Sequence, residues 1–115
     1  MEDQLITFET AKLAKEKGFN ERTSKAFYYD GIVTSYNSQY ADILIPWPIQ
    51  SLLQKWLREV KDIHIVVYVF KPEDKNKYCC DIVSDIFEEN LEDNQNFDSY
   101  EEALEQALYQ ALELI

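Results

Sequence analysis

Few residues in this chain have the types and spacing that chemistry needs. His64 is the only histidine, and Asp62 stands two residues before it. An imidazole beside a carboxylate can serve as a general base. No Ser or Cys nucleophile with motif context accompanies the pair, so a small enzyme using His64 is the minor reading. A structural histidine at a surface or half-buried junction is the ordinary one. Cys79 and Cys80 are adjacent. On a strand their thiols point to opposite faces and cannot clamp one metal together. Neither a C-x-x-C pair nor a His-rich partner completes a zinc pattern. The expectation is one buried structural cysteine and one incidental one, both reduced in a cytosolic setting. No catalytic residue, metal ligand or cofactor follows from these positions.

Carboxylates are the abundant functional group. Asp85, Glu88, Glu89, Glu92, Asp93 and Asp98 form an acidic stretch, and Glu101, Glu102 and Glu105 carry the charge onward. Oxygen ligands of this kind can hold a divalent cation. The D-x-[DN]-x-[DN]-G loop that would arrange them is absent, which favours a solvated acidic segment. Residues 1–70 hold nine acids against eight bases, a net −1; residues 71–115 hold thirteen acids against three, a net −10. Beyond Lys77 there is no Lys or Arg. Such a half repels a phosphate backbone and attracts a basic protein surface. Direct DNA or RNA binding is therefore not expected. Asp85, Glu88, Glu89, Glu92, Asp93, Glu101, Glu102 and Glu105 are the candidate contacts to a basic partner.

Eight tyrosines are also present, with Tyr28, Tyr29, Tyr36 and Tyr40 close together. An exposed tyrosine makes a good interface anchor, because it offers rigid area with a polar tip. Tyr28 and Tyr29 join the candidate contacts on that ground. Base stacking on them is the rival use, and the lack of a basic groove argues against it.

The elements that must position these groups are legible. In residues 48–70, Ile49, Leu52, Leu53, Trp56, Leu57 and Val60 recur on one helical face, with Pro48 placed to begin the helix. The β-branched and aromatic run of residues 63–70 follows as a central strand, and this helix–strand unit is expected to organise the core. A first helix is expected over residues 5–17, with Thr7 as N-cap and Gly18 at the left-handed position beyond its end. Residues 26–29 and 32–36 read as a hairpin around a two-residue Asp30-Gly31 turn. Residues 41–47 are extended, 71–77 make a charged turn, and 78–83 return antiparallel to 63–70. Residues 85–96 read as a short helical turn or a loop. The last helix opens at Ser99 with Glu102 completing a capping box, and Tyr100, Ala103, Leu104, Ala107, Leu108, Ala111, Leu112 and Ile115 form its stripe. That order, α-β-β-α-β-β-α, predicts an α+β domain: a mainly antiparallel sheet of about four strands with helices on one face.

At 115 residues the chain fits one domain. An acidic start with no apolar run after it resembles no signal peptide, and no stretch nears the roughly 20 apolar residues of a membrane span. The expectation is a soluble, cytoplasmic protein.

The segments IPWPIQSLLQKWLRE and VKDIHIVV, with ITFETAKLAKEKGFN near the start and SYEEALEQALYQALELI at the end, resemble a family of short proteins encoded by phages, prophages and mobile elements. Its members are mostly of unknown function, so the resemblance carries no catalytic residues. The Trp-Pro-Ile-Gln lead-in departs from a simpler Pro-Thr-Gln in relatives, and the acidic stretch over residues 85–96 is longer. Small acidic phage proteins often bind host machinery, anti-CRISPR and DNA-mimic inhibitors being the familiar types. The resemblance thus implies a non-enzymatic accessory protein that inhibits a nucleic-acid-guided nuclease through its basic channel. The alternative is a self-assembling module in which the last helix packs against its copy in a homodimer.

Overall fold

The computed structural model describes residues 4–36, 38–40, 43–70, 77–84, 88–90 and 97–115. The elements follow as α1 (Phe8–Glu16), β1 (Lys25–Phe27), β2 (Val33–Ser35), a 3-10 turn (Ser38–Tyr40), β3 (Ile45–Trp47), α2 (Gln50–Val60), β4 (His64–Phe70), β5 (Lys77–Val83), β6 (Glu88–Asn90) and α3 (Tyr100–Glu113). The class is α+β and every strand pairing is antiparallel. Where one sheet of about four strands was expected, two three-stranded sheets are present, ordered β2-β1-β3 and β4-β5-β6. The extra strands are β3, which Pro46 inside it and Pro48 just after it keep extended, and β6, which lies where a loop or helical turn was expected. Of the charged turn expected over residues 71–77, residues 71–76 lie outside the described residues, and Lys77 opens β5 instead.

The helix ends follow their local chemistry. Thr7 caps α1 by accepting from the Thr10 N–H. At the other end Gly18 takes φ 104°, and the Gly18 and Phe19 amides close onto Lys15 and Ala14 carbonyls, a Schellman arrangement. That turn drops Phe19 into the core, edge-on to Trp56 at 5.4 Å. Ser99 caps α3 by accepting from the Glu102 N–H, but the return bond of the expected capping box, from the Ser99 N–H to the Glu102 carboxylate, is not made.

The start of α2 differs from expectation. Pro48 stands before the N-cap, Ile49, which has no side-chain capping bond. The first turn is capped instead by the chain's own N-terminal segment: the Gln50 N–H donates to the Gln4 carbonyl (2.8 Å), and the Ile6 N–H donates to Pro48 (3.2 Å). Ile49 and Val60, assigned to the apolar stripe, are exposed, whereas Gln50, assigned to the polar face, is buried. The helix leaves through Asp62 at φ 54°, a left-handed position that Asp tolerates better than most residues.

The hub is α3. It packs on β4 and β5 with one side and on α1 and α2 with the other, while α1 also reaches β3. Ala103, Ala107 and Ala111 alternate along it with Leu104, Leu108 and Leu112, and all six are buried. Small residues let neighbouring backbones approach, and the leucines fill the gaps between layers. The strand register places Val67 opposite Cys80 and Ile65 opposite Ile82, on the sheet face joined to this core. The helix–strand unit of residues 48–70 is thus one wall of the core, with α3 at its centre. Six residues of the stripe are buried inside the chain, while Tyr100 at its start is exposed.

Candidate interaction surfaces

His64 opens β4 and is exposed. Its Nε2 lies 3.1 Å from Asp62 Oδ1, so the pair is real, on the solvent side of the α2–β4 turn. Neither residue lines the two grooves that run beside the β2-β1-β3 sheet. The cysteines correct the expectation of one incidental residue: Cys79 and Cys80 are both fully buried. Burial, then the neighbouring Cys79 and Asp81, push the Cys80 thiol up to about 11. A thiol held neutral in this way is a packing group and a poor nucleophile. Among the described residues no group of three His, Cys, Asp or Glu is placed to hold a metal ion.

The acidic candidates separate into distinct environments. Asp85, Glu92 and Asp93 lie outside the described residues. Glu88 and Glu89 fall on β6, opposite Val83 and Ile82. Asp98 pairs with Lys77. On α3, Glu102 is exposed and Glu101 half-buried, and neither meets a cation among the described residues. Glu105 is different. Its Oε2 accepts from Thr10 Oγ1 (2.5 Å), Thr7 Oγ1 (3.1 Å) and the Thr7 N–H (3.2 Å), and its Oε1 accepts from Gln50 Nε2 (3.3 Å). Gln50 Nε2 also donates to the Glu101 carbonyl at 2.9 Å. Glu105 therefore ties α3 to the first turns of α1 and α2, where the helix dipole welcomes a carboxylate. Its capacity to bind is directed inward.

The tyrosines gather with residues the sequence reading passed over. The hairpin turn has three residues, not two: the Tyr28 N–H donates to Ile32 (2.8 Å), the Gly31 N–H donates to Tyr28 (2.9 Å), and Gly31 takes φ 90°. That is a type I turn closed by a left-handed glycine. It holds Tyr28, Tyr29, Ile32 and Val33 outward, and together with Tyr40 and Ile43 these side chains are 43–60% exposed. Tyr28, Thr34, Tyr36, Tyr40, Ile43 and Leu44 line a groove of about 560 Å³ on this side, with Arg22 at its edge. A second groove, about 640 Å³, continues past Arg22 and Tyr36 to Lys25, Trp47, Ile49 and Leu52. Arg22 and Lys25 are exposed, and neither meets an acid among the described residues. One sequence signal was available for Ile32 and Val33: two consecutive apolar residues on a strand must point to opposite faces, so a sheet covered on one face leaves one of them in solvent.

Comparison with protein-family models, curated proteins and solved structures returns no match. Among the described residues no helix is long and apolar enough to cross a membrane.

Proposed function

We propose that this chain is a non-enzymatic binding module for another protein. The observation that carries the reading is the exposed apolar surface of the hairpin: Tyr28, Tyr29, Ile32 and Val33 stand out at its turn, and Tyr28 shares a groove with the exposed Tyr40 and Ile43. Exposed tyrosines are among the side chains that most often form the energetic centre of a protein interface, and the aliphatic neighbours add apolar area around them. The charge asymmetry supplies the second element. A net −10 over residues 71–115 favours a partner with a basic surface and speeds encounter with it. A nucleic-acid-guided nuclease, or a similar defence enzyme with a basic channel, fits that requirement, and inhibition is the consequence of occupying the channel. The partner would be met in the cytoplasm of the host cell.

The test is affinity capture from host lysate, treated with nuclease, at low and high salt. Wild-type protein should retain a basic enzyme, and a Tyr28→Ser/Tyr29→Ser/Ile32→Ser variant should lose it while staying folded. Equal capture by that variant would remove the patch from the interface. Recovery of only the bait's own copies would instead favour the self-assembling module.

A further inference from the structure

The β2-β1-β3 sheet has two outer edges of different character. On β3 the residue opposite Ala26 is Pro46. Pro46 has no N–H, and a proline on the outward side of an edge strand blocks addition of a further strand. On β2 no such device is present. Bonds from Tyr28 N–H to Ile32 and from Tyr36 N–H to Ser24 fix the alternation of that ladder. They make Ala26–Thr34 the hydrogen-bonded pair within β1–β2, so the N–H and C=O groups of Val33 and Ser35 point away from β1. Their neighbours on β2 include neither lysine nor proline, and Ile32 and Val33 are exposed beside them. At the Ser35 end, Lys25 stands directly across the ladder and Arg22 lines both grooves. These two cations are without an acid partner among the described residues of a chain carrying 22 acids.

Taking the protein-binding reading as its basis, we infer that the outer edge of β2 accepts an extended segment of a partner protein that carries apolar and acidic side chains in alternation. The segment's backbone pairs with Val33 and Ser35. Its apolar side chains lie against Tyr28, Tyr40 and Ile43, and a carboxylate meets Arg22 and Lys25. Strand addition gives affinity through the main chain and specificity through alternate side chains. The positive charge of Arg22 and Lys25 selects an acidic segment over a basic one. This contact is separate from any basic surface drawn by the C-terminal half.

The experiment titrates isotope-labelled full chain with a short peptide alternating glutamate and valine. Parallel titrations use a lysine–valine peptide and a glutamate–valine peptide N-methylated at alternate amides. The expected result is saturable shifts at the Val33 and Ser35 amides with the first peptide only. Affinity should fall roughly tenfold in an Arg22→Glu/Lys25→Glu variant whose spectrum is otherwise native. Equal binding of the lysine peptide or of the N-methylated peptide would overturn the inference, as would no saturable shift at all. Shifts at Val33 and Ser35 produced by raising the protein concentration alone would overturn it too, assigning the edge to a second copy. If the peptide fails while lysate capture still depends on Tyr28 and Tyr29, the inference falls and the binding-module reading stands.

Discussion

Replacing Glu105 with alanine should destabilise this protein more than any other single change to its C-terminal acids. The carboxylate accepts from Thr10 Oγ1, Thr7 Oγ1, the Thr7 N–H and Gln50 Nε2. Thr10 and Gln50 are buried, so donors left behind cannot turn to solvent. Hydrogen bonds to a charged group contribute about 1.5–3 kcal/mol each when fully formed. Three considerations reduce the sum. Glu105 is itself half-exposed, Thr10 Oγ1 keeps Thr7 Oγ1 at 3.0 Å, and Gln50 Nε2 keeps the Glu101 carbonyl. The net cost is then about 2–3 kcal/mol, with loss of the carboxylate at the α1 N-terminus included. For a domain of this size that lowers Tm by roughly 10 °C. Urea unfolding should show a lower midpoint with unchanged slope. Glu102→Ala, on the exposed face of the same helix, should stay within about 0.5 kcal/mol of wild type. A cycle with Thr10→Val should give a coupling of about 1 kcal/mol. Wild-type stability in Glu105→Ala, or an equal loss in Glu102→Ala, would refute the account of α3 as a helix tied down by one inward carboxylate.

Three further expectations follow from the same structure. Cys80 is raised to about 11 by burial, so its neutral thiol is favoured in the folded state. Its contribution is fully present below the unfolded pKa near 9 and is lost as pH climbs toward 11, at a limit of about 1.4 kcal/mol per pH unit. Subtracting the pH profile of Cys80→Ala from that of wild type should isolate this slope, and native protein should resist thiol alkylation near pH 8. Leu108→Ala removes a fully buried side chain from the middle of α3 and should cost about 2–5 kcal/mol by denaturant titration. Glu101→Gln/Glu102→Gln, with Glu105 retained, should slow association with a basic partner severalfold at low salt and leave dissociation nearly unchanged. Stopped-flow measurements at two salt concentrations separate the two rates.

Local chemistry was the part of the fold that the sequence made readable. Thr7, Gly18 and Ser99 act at short range, and each placed a helix end within a residue or two. The β4–β5 pairing was equally plain, because two largely apolar runs flank the charged segment of residues 71–77. What escaped were features set by tertiary contact. Gln50 reads as a surface residue until Glu101 and Glu105 arrive from 51 and 55 positions away. Glu105 reads as one more external acid until Thr7 and Thr10 meet it across 98 and 95 positions. Ile49 and Val60 fit the helical period and are nevertheless exposed, because α3 and β4 cover only part of that face. The exposed hairpin was half legible: Tyr28 and Tyr29 stood out by type, while Arg22 and Lys25 gain meaning only from standing without an acid partner among the described residues.

The most direct test of the binding-module account is the affinity of the captured partner for three proteins: wild type, Tyr28→Ser/Tyr29→Ser and His64→Ala. The account predicts that the tyrosine variant binds at least roughly tenfold more weakly, and that His64→Ala matches wild type both in affinity and in its effect on the partner's activity. Unchanged affinity in the tyrosine variant, with loss of effect in His64→Ala, would contradict it and return the His64–Asp62 pair to the centre of the molecule's function.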